Sequence, residues 1–278
     1  MRGRRAYSLL FVAGCSFHSA AAPAGEADAP IADAAVISDA PPDVTLQGVV
    51  KCYGNGFGVS VCITEPTAPL MLDANTEINT DTSSLCIPAN PTTFCVLAGT
   101  AVQVSATIGA TGKRPLVLLA TATDLHVAAT GSIDVASHRN RDDQHTGGGA
   151  DGTPCTTGMP PDDTDGHGGG GEGGSFGGGG GNGGIGYNGG QGGIAGGAAT
   201  IDLFRGGCPG FHGAGGDNSG GAGHGGGAVY LYAEHMVMVD GTINASGESG
   251  GGADTGSDGG GGGGSGGMIV FDAEMLHL

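Results

Sequence analysis

Tryptophan is absent from the 278 residues, aromatics reach only 5%, and nine lysines and arginines face 27 acids, for a formal charge of −18. So few cations exclude a nucleic-acid binder, which needs a basic face to displace counterions from phosphate. No apolar run approaches the ~20 residues of a spanning helix, which excludes a multi-pass membrane protein. Collagen is excluded because strict Gly-X-Y runs with abundant proline do not fill the chain. No Cys-x-x-Cys or Cys-x-x-His pair is present for zinc, and no Gly-x-Ser-x-Gly elbow for a serine nucleophile. The two lysines, Lys51 and Lys113, do not close a phosphate loop between a strand and a helix. What fills the chain instead is glycine: 63 residues, where ordinary usage is about 7%. With 38% hydrophobic residues, the chain is too apolar to be wholly unstructured.

The N-terminus reads as an export address. Met1-Arg-Gly-Arg-Arg5 is basic, and Ala6 to Gly14 is a compact apolar run about half the length of an anchor helix. It ends in Val12-Ala13-Gly14-Cys15, which matches the bacterial lipobox, so residues 1–14 are expected to be a signal peptide and Cys15 the lipidated residue. An ordinary secretory signal cleaved near Ala20 to Ala24 is the alternative. Arg2, Arg4 and Arg5 leave with the signal and no acid does, so three fewer positive charges take −18 to −21. Ser16 after the cysteine is the pattern of outer-membrane cargo.

Seven cysteines are an odd number for an exported chain; with Cys15 lipidated, Cys52, Cys62, Cys86, Cys95, Cys155 and Cys208 remain. An oxidising compartment pairs them. Six cysteines admit 15 connectivities. The local one, Cys52–Cys62, Cys86–Cys95 and Cys155–Cys208, is the working expectation.

Residues 15–45 are Ala-, Pro- and Asp-rich without apolar periodicity, which describes a tether reaching on the order of 30 Å. Residues 46–93 carry four prolines and short alternating runs such as Val59-Ser-Val-Cys-Ile63, and are expected to form a small disulfide-pinned β cap. A repeat follows over 94–278. Val102-Gln-Val104 then Ile108, Leu125-His-Val127 then Ile133, and Val237-Met-Val239 then Ile243 align; the latter two share Gly-x-Ile at Gly131 and Gly241. A further apolar strand precedes these two copies, Leu116-Val-Leu-Leu-Ala120 and Val229-Tyr-Leu-Tyr-Ala233, and recurs at Met268-Ile-Val-Phe-Asp-Ala273. Apolar period two means strands with one buried face. Copies separated by loops of uneven length predict an all-β chain, a parallel β-helix-like solenoid with glycine-rich loop insertions; a β-sandwich of the same strands is the alternative.

Glycine concentrates in 147–227 and 247–267. A core cannot be built from glycine, so these stretches are expected as insertions off one side of the solenoid. From Gly168 to Gly192 every third residue is glycine, a period that suits extended three-fold helices packed backbone on backbone. Ordering glycine is costly, about 1–2 kcal/mol and upward per residue, and flexible loops are the expectation.

Chemistry is sparse. The densest polar cluster, His138, Arg139, Arg141, Asp142, Asp143 and His145, follows the strand at Ile133 and is a weak candidate for a lyase-like site using an arginine base. His145, His167, His212 and His224 lack ligand spacing, so no metal site is expected. Ca²⁺ is the one cation given any weight, but Gly215-Gly-Asp-Asn-Ser and Gly256-Ser-Asp-Gly do not reproduce the calcium-binding nonapeptide. No catalytic residue and no cofactor is assigned.

Gly131-Ser-Ile-Asp-Val-Ala-Ser-His138, Gly174-Ser-Phe-Gly177, Arg205-Gly-Gly-Cys-Pro-Gly210, Gly227-Ala-Val-Tyr-Leu231, Gly241-Thr-Ile-Asn-Ala-Ser-Gly247 and Ser265-Gly-Gly-Met-Ile269, with the tether, resemble a group of glycine-rich predicted lipoproteins of myxobacteria. The resemblance spans nearly the whole chain after Cys15 and implies an envelope lipoprotein of unassigned function. Members of that group tend to run on past the final strand, whereas this sequence stops at Leu278, mid-repeat. The expectation is a non-enzymatic, lipid-anchored protein of the outer membrane or cell surface, structural or adhesive. Its partners would be the membrane, through the lipid, and a surface polysaccharide or protein; the alternative is a carbohydrate-binding or carbohydrate-cleaving β-helix. Radiolabelled palmitate should enter the parent chain and not Cys15→Ser; an unlabelled parent would refute lipidation.

Overall fold

The computed structural model describes residues 7–8, 49–139, 144–164, 166–216, 218–254 and 257–278. Cys15, the tether and nearly all of the expected signal lie outside the described residues. The described chain is all-β, with a single 3-10 turn at Tyr187–Gly189.

A hairpin comes first: β1 (Val50–Tyr53) and β2 (Val61–Thr64) pair antiparallel and carry the Cys52–Cys62 bridge. The chain then visits three parallel sheets in rotation. The first sheet holds β3 (Leu70–Leu72), β6 (Val102–Val104), β9 (Leu125–Val127), β12 (Met236–Val239) and β15 (Met275–His277). The second holds β4 (Thr76–Asn79), β7 (Thr107–Thr111), β10 (Ser132–Asp134) and β13 (Thr242–Asn244). The third holds β5 (Cys95–Gly99), β8 (Leu116–Ala120), β11 (Val229–Ala233) and β14 (Ile269–Asp272). At the outer edge of the third sheet Tyr7–Ser8 pairs antiparallel with β14.

The aligned repeats are hydrogen-bonded neighbours. Val102, Leu125 and Val237 pair in succession, as do Val104, Val127 and Val239, and Ile108, Ile133 and Ile243. Their side chains stack into one aliphatic core between the three sheets, with Leu116, Leu118, Val229 and Leu231 closing it from the third. Each fully buried aliphatic contributes roughly 1.5–3 kcal/mol relative to exposure. Gly131 and Gly241 stand where layers close up: a Cβ at Gly131 would strike the Val104 carbonyl, and one at Gly241 the Gly131 carbonyl.

The strand patterns follow from what each sheet faces. β6 and β9 alternate buried and half-buried because one face meets solvent. β8 and β11 are buried at every position, the near-continuous apolar run expected of a strand covered on both faces. Their outer face packs on the hairpin: Tyr53, Val59, Val61 and Ile63 meet Val117, Leu119, Tyr230 and Tyr232, with the Tyr53 and Tyr232 rings edge to face at 5.6 Å. The expected cap over 46–93 is therefore smaller than the sequence suggested. The hairpin lies on the flank of the third sheet, and Leu70 to Asn79 already pair in parallel with β6 and β7 as part of the stack.

Both glycine-rich stretches leave from the same corner, between the second and third sheets, joining β10 to β11 and β13 to β14. Here the structure differs from the flexible loops expected. The stretches fold back into extended segments that hydrogen-bond to one another every third residue. The amides of Gly220, Gly223 and Gly226 donate to the carbonyls of Gly259, Gly262 and Ser265 at 2.8–2.9 Å. Gly259, Gly262 and Ser265 in turn donate to Ala214, Phe211 and Cys208 on an antiparallel neighbour. Gly261, Gly264 and Gly267 donate to Gly251, Glu248 and Ala245, and Gly168, Gly171 and Gly174 donate to Ser257, Gly260 and Gly263. The run over 257–267 thus touches four other runs, 168–174, 206–214, 220–227 and 245–252. Such three-residue steps belong to a three-fold extended helix, in which donors radiate in three directions; a pleated strand, with period two, reaches only two neighbours.

Glycine is what permits the spacing. A Cβ on Gly262 would meet the Glu172 carbonyl, and one on Gly264 the His224 carbonyl. Gly181, on the outer run 180–186, has open space in that direction. Gly262→Ala should destabilise by about 1–3 kcal/mol or more through overpacking, whereas Gly181→Ala should stay within about 0.5 kcal/mol or stabilise slightly. Chemical denaturation of the two variants separates the cases; equal effects would contradict backbone-to-backbone packing.

Candidate functional site

Of the cluster proposed from sequence, His138 pairs with Asp134 at 3.1 Å on the same stretch. The backbones of His138 and Arg139 pair antiparallel with His145 and Gln144. Arg141, Asp142 and Asp143 lie outside the described residues. Arg139 reaches into the glycine bundle: its Nη2 donates to the Ala222 carbonyl at 2.7 Å and its Nε to that of Ser249 at 3.1 Å. Its Nε also lies 2.9 Å from Glu248 Oε1, whose side chain is fully buried. Arg139 ties two glycine runs together; a buried carboxylate that lost this cation would be left uncompensated.

The three bridges match the local pairing: Cys52–Cys62, Cys86–Cys95 and Cys155–Cys208. The last ties the start of the long excursion to the run at 206–214. Arg205, 6% exposed, lies along this bridge. Its Nη1 donates to the Gly152 and Gly206 carbonyls and sits 3.7 and 3.6 Å from the two sulfurs. Its guanidinium stacks over Phe176 at 4.4 Å, while Nη2 is buried with no hydrogen-bond partner. Burial lowers the Arg205 pKa, and nearby Asp202 opposes that shift.

Two cavities lie near the bridge, and Arg205 lines the first of them. The larger, about 750 Å³, opens between the hairpin's connecting loop, the short corner before β8 and the bundle, and is lined by Phe57, Phe94, Phe204, Lys113, Asp151 and Arg205 among others. A second, about 420 Å³, lies among the glycine runs and shares Asp151, beside His224, His212, Ser175 and Glu172. Asp151 is occupied: Oδ2 lies 2.6 Å from His224 Nδ1, and Oδ1 accepts from the Gly225 amide at 2.8 Å. Glu172 is 4% exposed, and its Oε2 has no hydrogen-bond partner.

The histidines do not converge. His224 is paired with Asp151, His212 turns to the Gly213 carbonyl at 3.0 Å, and His167 stands edge-on to Tyr187 at 5.4 Å. Among the described residues no group of three or more His, Cys, Asp and Glu is placed to hold a metal ion.

Lys113, Arg205, Asp151, Glu172 and Glu248 were not singled out from sequence as site residues. Their signal was available: Asp151, Glu172, Arg205 and Glu248 are charged side chains isolated in stretches that otherwise offer almost only backbone. Comparison with known protein families, with curated proteins and with solved structures finds no match for this chain.

Proposed function

We propose that this chain is a non-enzymatic, lipid-anchored surface protein, a member of the myxobacterial glycine-rich lipoprotein group, whose parallel β-helix holds out a backbone-only face for adhesion or structural packing. The rotation of the chain through three parallel sheets in constant register supports the β-helix reading. The observation that carries the function is the outer ridge of the bundle. Gly178, Gly181 and Gly184, spaced by three, point their missing side chains into open space. Ile185 and Tyr187, 72% and 76% exposed, follow the ridge in sequence, and Met159 and Ile194, joined by backbone hydrogen bonds, stand exposed on other segments of the long excursion. Several exposed large apolar side chains on the runs around a smooth ridge favour a contact surface over a solvated loop.

Arg139, the described arginine of the polar cluster, has Nε and Nη2 committed to carbonyls and lies against Glu248, which favours the non-enzymatic reading. Cys15 lipidation and the tether would set this body on the outer face of the envelope.

The test is retention of the purified domain on whole cells and on a glycan array. The parent should be retained. A variant carrying Gly178→Asp, Gly181→Asp and Gly184→Asp should keep its denaturation midpoint and lose most retention, because the added carboxylates protrude into solvent and roughen the ridge. No retention of the parent, or unchanged retention of the variant, would overturn the proposal.

A further inference from the structure

The geometry points to the cavity beside Arg205 as a binding site for a carboxylate carried on a ring with one apolar face. This site is separate from the glycine ridge, and its ligand does not depend on the adhesive reading.

Cations are scarce in this chain, and their placement is therefore informative. After residue 15 the sequence holds six: Lys51, Lys113, Arg114, Arg139, Arg141 and Arg205. Lys113 and Arg205 line this one cavity, whereas Arg114, next in sequence, is paired with Asp81 at 3.9 Å. A chain of formal charge −18 repels anions at long range, so two cations lining one cavity make a local exception. Arg205 lines the cavity with one unsatisfied donor behind its surface: Nη1 is engaged by carbonyls, while Nη2 has no hydrogen-bond partner and is closed off from solvent. That state costs more than a satisfied donor, so a ligand reaches it as the side chain turns toward the cavity. A guanidinium is the group suited to a planar carboxylate.

The acids nearby define the ligand's charge. Asp151 lines the same cavity, but both its oxygens are taken by His224 and the Gly225 amide. Asp202 acts on Arg205 from an exposed position, where solvent screens it. Two cations against one lining acid leave room for a monoanion and not for a dianionic phosphate. Three aromatic side chains share the wall, Phe57, Phe94 and Phe204, with Phe94 and Phe204 in ring contact at 5.9 Å. The volume, about 750 Å³, lies within the range of small-molecule sites. A ring that lays an apolar face on the phenylalanines and turns its carboxylate to Arg205 and Lys113 meets both halves of the wall. Two sources share that chemistry, a uronic-acid unit of a glycan and a free aromatic acid.

Titration calorimetry of the purified chain with a glucuronate-terminated disaccharide, its neutral glucose counterpart and benzoate tests the assignment. One of the two carboxylates should bind, the neutral sugar should not, and the tighter of the two identifies the source. Lys113 is exposed, so Lys113→Glu should fold normally and weaken binding roughly tenfold by reversing one charge of the site. Raising the salt concentration should weaken it further. Arg205→Gln should abolish binding, and where it fails to fold Lys113→Glu decides alone. Binding of neither carboxylate, equal binding of the neutral sugar, or indifference to Lys113→Glu would overturn the site.

Discussion

The constraint on which this structure turns is how closely two peptide backbones approach when neither carries a side chain. In the glycine bundle the space a Cβ would need at Gly171, Gly210, Gly213, Gly250 or Gly262 is already held by a carbonyl of the neighbouring run. That closeness lets one run bond to several others in three-residue steps, and it removes the hydrophobic effect as the source of cohesion. What remains is hydrogen bonding, at roughly 0.5–1.5 kcal/mol net per bond, against a backbone entropy that is larger for glycine than for any other residue. On those magnitudes the bundle would not order alone. It is held by what it is attached to.

The attachments are visible. Both excursions begin and end on strands of the aliphatic stack, so their ends are fixed by β10, β11, β13 and β14. Cys155–Cys208 closes part of the longer one, which restricts its unfolded ensemble. Arg139 with Glu248, and Arg205 with the Gly152 and Gly206 carbonyls, place charged hydrogen bonds at the seams. The stack in turn is sheltered: the hairpin and Phe204 cover the outer face of the third sheet, which gives Leu116-Val-Leu-Leu-Ala120 its unbroken apolar character. Core, hairpin and bundle each complete a surface the others leave open, and the larger cavity lies where the three meet.

How much of this was legible beforehand depended on whether side chains carried the information. Val102, Val104, Leu125, Val127, Val237 and Val239 announced their strands by period two and their stacking by repetition, and these residues are paired as aligned. The first layer, Leu70–Leu72 with Thr76–Asn79, was hidden because three- and four-residue strands beside Pro66 and Pro69 show too little alternation to resemble a repeat. The ordering of the bundle was not readable for a different reason: in a tract so rich in glycine a three-residue register is weak evidence of order, since composition produces it by chance roughly one time in ten, and no side chain marks the buried direction. The cavity joins Phe57, Lys113 and Arg205, which are far apart in the chain and share no motif. Isolated charges such as Glu172, Arg205 and Glu248 were the one available hint, since a lone charge in a backbone-only stretch needs a local partner or a ligand.

Amide hydrogen exchange at individual glycines tests the central claim most directly, because it reads the backbone hydrogen bonds themselves. With the bundle formed as described, the amides of Gly220, Gly223, Gly226, Gly259 and Gly262 exchange far more slowly than an unstructured glycine chain, and those of Gly178 and Gly181 on the outer ridge exchange fast. Uniformly rapid exchange across 168–267, with protection confined to the strands of the three sheets, would contradict it.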